Sequence, residues 1–417
     1  MERASILSQQ KKIIEQNQAL DLPETRTANW DFAGSDTQYS THGMHTWLAA
    51  MIPALAGKLI KVTRAASVLD PFCGGGAVLV EAVLAGIPTA GIDINPLATL
   101  ISRAKTTYIE KELLEKSLAE ILKASSNYPR HVIAFPQKYN VHYWYKLYMI
   151  PELSSISIAI GNVEDQKIRN FFECVFSATA RDVSLTHRNE IRLRKLEPGR
   201  LAKFNPDVTR RFVSRARDAI LRVSKLPKNA DATVLDGHIV YTPFKDDAFT
   251  TIICSPPYGD ERNGVCYFQS VKNMLYWLGW SVEALNSRKS RTLGWVRGRK
   301  SIDSPPSRTL RETINTVKNE RSQLEALAFY YDYCLSLKEM ARVVNDKIVI
   351  VIGQRVLDRR VFDNSKITVE LLDDVGVKLE QEFTRNLPSK RLPKLREFGG
   401  VIDKEHILIF TVKNKRM

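Results

Sequence analysis

Val68-Leu69-Asp70-Pro71-Phe72-Cys73-Gly74-Gly75-Gly76-Ala77-Val78-Leu79 begins as an apolar run ending in an acid, turns on three successive glycines and continues as an apolar helical stretch. Strand, glycine turn and helix in that order let the backbone pass close to a ligand, and the helix N-terminus beyond presents unpaired amides. Working outward, Thr89 to Asp93 is a second short β-rich run and Asn95 to Lys105 a second helix. Strand, helix, strand, helix predicts a parallel, doubly wound sheet. Further strands are expected at 233–236, 250–255, 347–353, 377–385 and 405–412, giving seven, and longer helices at 267–279 and 321–344. Only a loop separates the last two strands, which predicts an antiparallel edge. The fold class is therefore α/β, a doubly wound seven-stranded mostly parallel sheet, with a large helical insertion.

That insertion, 110–229, is too long for a simple crossover, and its second half is rich in arginine. It divides the chain into an N-terminal segment, 1–60, a first half of the sheet domain, 61–109, the insertion itself, and a second half, 230–417. A further basic loop spans 288–321. Lys and Arg number 61 against 46 Asp and Glu, a formal charge of +15, which favours a polyanionic partner. The five cysteines, Cys73, Cys174, Cys254, Cys266 and Cys334, have no CxxC spacing, so neither a zinc site nor a disulfide framework is indicated. The polar start lacks the pattern of a secretory signal, and no run reaches membrane-spanning length. A cytoplasmic protein, with no membrane partner and no metal, is expected.

Three cofactor classes could use the glycine turn. A nucleotide triphosphate loop needs Gly-Lys-Ser/Thr after the glycines, where this chain continues Ala77-Val78-Leu79. A nicotinamide fingerprint wants glycine at position 79, which is leucine. An acid before the turn, Asp70, is unsuited to a pyrophosphate but can pair with the ammonium of S-adenosylmethionine. Asp93, about twenty residues beyond the turn, stands where an acid hydrogen-bonds ribose hydroxyls, and Ile94 can pack on the adenine. The expected cofactor site is Asp70, Pro71, Phe72, Cys73, Gly74, Gly76, Asp93 and Ile94, and the cofactor S-adenosylmethionine.

Far downstream, Thr250 to Cys254 leads into Ser255-Pro256-Pro257-Tyr258. The exocyclic amine of a nucleobase is a poor nucleophile because its lone pair is delocalised into the ring. Prolines freeze φ and turn a main-chain carbonyl toward such an amine, and the Ser255 oxygen can accept its other hydrogen. Tyr258 offers a flat face for an extruded base. Methylation at a cytosine carbon would need a thiolate, usually one that follows a proline, and the chain contains no Pro-Cys dipeptide.

The stretch VLDPFCGGGAVLVEAVLAGIPTAGIDINPLA, 68–98, resembles the cofactor half of the amino-group DNA methyltransferases. SPPYGDERNGVCYFQS, 255–270, resembles a run in one branch of that family, matching at Gly259, Asp260, Arg262, Val265, Tyr267 and Ser270. Thr41-His42-Gly43-Met44-His45 resembles the family segment that closes over the methionine part of the cofactor. Where members usually carry His-x-Tyr-Pro-Ala, this chain has His45-Thr46-Trp47-Leu48-Ala49. The resemblance adds His42 to the cofactor site, and Asp236 as the acid that contacts the cofactor adenine. It implies a type II modification methylase acting on the N4 amine of cytosine in duplex DNA, because serine at 255 is typical of members acting there. It leaves open an accompanying restriction endonuclease. Arg188, Arg192, Arg194, Arg262, Arg297 and Arg299 are the expected DNA contacts. Adenine N6, an RNA amine, and a DNA-binding protein without activity stay open as alternatives.

Overall fold

The computed structural model describes residues 29–128, 132–137, 139–187, 193–259, 267–299, 301–387 and 404–412. Its strands are β1 (Val68–Asp70), β2 (Thr89–Asp93), β3 (Thr233–Asp236), β4 (Phe249–Cys254), β5 (Val344–Gly353), β6 (Arg355–Leu357), β7 (Arg360–Phe362), β8 (Val377–Asn386) and β9 (Lys404–Val412). Seven of them form one sheet in the order β3-β2-β1-β4-β5-β9-β8, and all seven are those expected from the sequence. The first five run parallel; β9 is antiparallel to both β5 and β8. Order reverses between β1 and β4, which pair through Val68 with Thr251 and Leu69 with Ile252. Ligands of doubly wound sheets bind beyond the carboxyl ends of the strands at such a reversal. Asp70 ends one of these two strands and Ser255 follows the other, so the fold joins segments nearly two hundred positions apart in sequence.

The central strands are buried on both faces, which is why they read as continuous apolar runs. Val349 and Val351 of β5 pack with Val68, Ile253 and helix α1 (Pro53–Val62) on one side. Ile348, Ile350 and Ile352 pack on the other with Ile252 and two later helices, Glu320–Val343 and Asn364–Asp373. Helix α2 (Ala77–Leu84) follows the glycine turn and α3 (Pro96–Thr106) follows β2, its first turn capped by Asn95 Oδ1 accepting from Leu97 N at 3.1 Å.

Residues 110–229 form further helices, chiefly Lys111–Ser125, Met149–Gly161, Gln166–Val183 and Val208–Val223. Phe171, Phe172, Phe176, Phe212 and Trp277 share one core with Leu97, Leu100 and Ile101 of α3. Ten of the eleven residues of α3 are buried, because the sheet lies on one side of it and this helical layer on the other. The hairpin β6–β7 was not evident in the sequence. Its two-residue loop, Asp358-Arg359, has φ of 50° and 60°, the geometry of a twisted hairpin turn, without the Asn-Gly signature that usually marks one.

Candidate active site

Gly74 and Gly76 adopt φ of +49° and +78°, a region costly to residues with a Cβ. Added Cβ atoms would also collide: at Gly74 with Trp47 Nε1 at 2.6 Å, and at Gly76 with Ser102 Oγ at 2.8 Å. The turn is therefore shaped by its glycines and covered by Trp47. Asp93 fixes it from the side. Its Oδ2 accepts from Gly74 N at 2.9 Å and its Oδ1 from Asn95 N at 2.8 Å, while Cys73 N donates to Ile92 O at 3.0 Å. Burial pushes the Asp93 carboxyl up to about 6, against the two amides that favour its charged form. Asp70 is 4% exposed, and its Oδ1 accepts from Phe72 N at 3.1 Å. Burial pushes this carboxyl up to about 8.

A cavity of about 570 Å³ runs from this turn to the proline loop. Asp70, Pro71, Phe72, Cys73, Gly74, Asp93 and Ile94 line one end, and Ser255 and Pro257 line the other. Pro256 is buried behind them. Tyr258 is half-buried beside the cavity rather than in its lining, with its hydroxyl donating to Glu405 Oε1 at 2.8 Å. Cys73 and Cys254 are buried free thiols whose pKa burial drives well above the usual thiol range, so neither is poised as a nucleophile.

The structure sets other expected residues away from the cavity. His42 is buried against α2, its Nε2 2.9 Å from Glu81 Oε1, which also accepts from the Tyr39 hydroxyl at 2.6 Å. Arg222 holds the same segment by donating to Gln38 O and Ser40 O, both at 2.6 Å. The segment thus reaches the cavity through Trp47, Ala49, Ala50 and Met51, not through His42. The Asp236 carboxylate is turned to α3, where it accepts from Thr99 Oγ1 and pairs with Arg103 at 3.1 Å. Gly76 caps α2 without lining the cavity.

Of the expected DNA contacts, Arg299 is committed to Asp332, with bonds of 2.9 and 3.0 Å, and Arg194 pairs with Glu197 at 3.4 Å. Arg297 is exposed, two residues beyond Trp295 of the cavity wall. Arg188, Arg192 and Arg262 lie outside the described residues. Two arginines of the insertion are committed within the fold: Arg211 and Arg215, both half-buried, clamp the buried Asp182 at 2.5 and 2.7 Å. Arg210 and Arg217 on the same helix are exposed.

His238 and Arg355 also line the cavity. His238 accepts from Val240 N through Nδ1 at 3.2 Å, which leaves Nε2 to carry the proton, and burial lowers its pKa. Arg355 is 3% exposed; its guanidinium carbon sits 5.1 Å from the ring centre of Phe329, and Nε and Nη1 have no partner among the described residues. Gly353-Gln354-Arg355, directly after an apolar strand, marks the second in the sequence, whereas nothing there singles out His238. Among the described residues, no group of His, Cys, Asp and Glu gathers as a metal site, and no helix is long and apolar enough to cross a membrane.

A doubly wound sheet whose glycine turn, Asp93 and proline loop converge on one cavity where strand order reverses has the architecture of a ligand site. The chain is 30% identical over 420 residues to the Type II methyltransferase M.MvaI of Kocuria varians, covering 92% of this chain and 90% of that protein. It is 28% identical over 111 residues to the Type II methyltransferase M.MjaII of Methanocaldococcus jannaschii, 25% of this chain and 21% of that one. The chain belongs to the type II methyltransferase family. No protein-family model matches it. An rRNA methyltransferase, aviRa from Streptomyces viridochromogenes, aligns with 94% of each chain, but at 8% identity and a TM-score of 0.29 the overlap carries no argument.

Proposed function

We propose that this protein transfers the methyl group of S-adenosylmethionine to the N4 amine of cytosine in duplex DNA. The observation that carries the proposal is the single cavity with Asp70 and Asp93 at one end and Ser255 at the other. The residues present fit the donor: a buried carboxyl for its ammonium, an acid held beside the turn for its ribose, and Ile94 for its adenine. His238 Nε2 adds a donor for a ring nitrogen. When bound, the donor supplies an already activated methyl group, so the protein's task is positioning rather than strong base catalysis.

Ser255 and a carbonyl of the proline loop accept the two hydrogens of the target amine and draw its lone pair out of the ring plane. Tyr258 lies beside the cavity as a platform for a base taken out of the duplex. Exposed Arg210, Arg217 and Arg297 contact phosphates, which gives affinity without sequence information. Incubation with labelled donor and duplex DNA, followed by digestion to nucleosides, is expected to yield labelled N4-methylcytosine. Methyladenine alone would overturn the base, and label confined to RNA would overturn the polymer.

The buried Asp70 gives a second test. Its carboxyl keeps its proton to about pH 8, whereas a bound ammonium favours the carboxylate, so donor binding must expel that proton below this pH. Affinity for S-adenosylhomocysteine, which carries the same ammonium, is expected to tighten as pH rises from about 6 to 8, by at most about tenfold per unit. Calorimetry should show this slope in the native protein and a flat, weaker profile in Asp70→Asn. The sign for folding is opposite. An acid whose pKa rises from 3.8 to about 8 on folding binds more protons folded than unfolded, so donor-free protein loses stability as pH climbs through that window.

A further inference from the structure

A serine hydroxyl both donates and accepts, so a serine that must accept from an amine needs its own hydrogen turned elsewhere. Ser255 lines the cavity, and its Oγ lies 3.3 Å from the Tyr258 hydroxyl. That hydroxyl lies 2.8 Å from Glu405 Oε1, and Glu405 Oε2 is 3.7 Å from Arg385 Nη1. Arg385 is 2% exposed. A carboxylate paired with a guanidinium accepts hydrogen bonds and donates none. Tyr258 must therefore donate to Glu405, its oxygen is left to accept, and Ser255 is the donor that meets it. Both lone pairs of Ser255 are then free for the cavity.

We propose that Glu405, held by Arg385, acts through the Tyr258 hydroxyl as a positioning residue that fixes Ser255 as a hydrogen-bond acceptor. This rests on the reading of the protein as an amine methyltransferase and adds to it an orienting chain of three side chains. The topology explains how so distant a residue arrives. Strand β9 is antiparallel to β5, so its first residues, not its last, reach the edge where the parallel strands end, and Glu405 pairs across the sheet with Gly353 on one side and Arg385 on the other. Tyr258 is anchored at the same place: its carbonyl accepts from Asn364 Nδ2 at 3.1 Å, which also donates to Gly353 O at 2.8 Å. The chain stands apart from any stacking role of the tyrosine ring, because only the hydroxyl takes part.

Tyr258→Phe keeps the ring and removes the hydroxyl. Glu405→Gln keeps the shape but replaces an acceptor-only group by one whose amide can also donate, which blurs the direction of the chain. Single-turnover methyl transfer to duplex DNA, S-adenosylhomocysteine affinity and thermal stability are measured for both variants and the double. Tyr258→Phe is expected to slow transfer about tenfold or more and Glu405→Gln about threefold or more, with donor affinity within about twofold of native. Because both act through one hydroxyl, the double variant should be no slower than Tyr258→Phe alone. Native transfer rate in Tyr258→Phe, losses that multiply in the double, or donor affinity falling in step with rate would each overturn the proposal. Native protein that transfers no methyl group to DNA defeats the functional reading itself, whereas a fully active Tyr258→Phe defeats only the orienting chain.

Discussion

Ser255→Ala is expected to lower the rate constant of methyl transfer about a hundredfold, equivalent to about 2.7 kcal/mol of barrier, while donor affinity stays within about twofold. The side chain is small and lies on the cavity wall at the end of a strand packed on both faces, so its loss removes an oxygen without disturbing the sheet. On the proposed reaction the target amine is bound in the ground state through other groups. Its lone pair becomes available only as the nitrogen loses planarity, which is when an acceptor for its hydrogen matters. An interaction made mainly at that stage shows in kcat rather than in KM. Single-turnover rates at saturating donor, beside calorimetric donor affinity, check this; Ser255→Ala with native kcat would remove the serine from the mechanism.

Asp93→Ala is expected to do the reverse, weakening donor affinity about thirty- to a hundredfold with kcat at saturating donor near native. The cause is double. In the proposed site the carboxylate accepts from ribose hydroxyls, and it also holds the turn through the amides of Gly74 and Asn95. Removing it leaves two amides to find new partners and frees a glycine segment whose shape the ligand needs. Asp93→Asn should be intermediate, since one oxygen can still accept while the new NH₂ meets an amide that also donates. Equilibrium binding of S-adenosylhomocysteine to the two variants orders them; equal affinity in native and alanine proteins would place the ribose elsewhere.

The sheet was legible because its inner strands are apolar β-rich runs bounded by turn residues, and burial on both faces makes such runs conspicuous in β1, β4 and β5. That Asp70 and Ser255 each close a strand was legible too, whereas the strand order that sets those two strands side by side is seen only in the structure. What could not be read was direction. Asp236 has the residue type and position of a ligand contact, yet Arg103 on α3 pairs with its carboxylate. His42 looked like part of a lid, but Glu81 on α2 claims its ring, and Trp47 covers the glycines instead. The arginines of the insertion counted together toward a polyanionic partner, whereas Arg211 and Arg215 are held by a buried acid that periodicity does not reveal. Glu405 was invisible for a different reason: it is 147 residues from Tyr258 and becomes its neighbour only through an antiparallel strand.

The placing of β9 between β5 and β8 has a consequence for how the molecule is made. A ribosome delivers β8 first, and that strand finds no seat on the sheet until its later neighbour has slipped in beside β5. Strand β8 therefore joins the sheet only together with β9, as one antiparallel pair added to β5. The glutamate that anchors the proline loop's tyrosine arrives on that same late strand, so its hold on the loop is completed only when the sheet itself is.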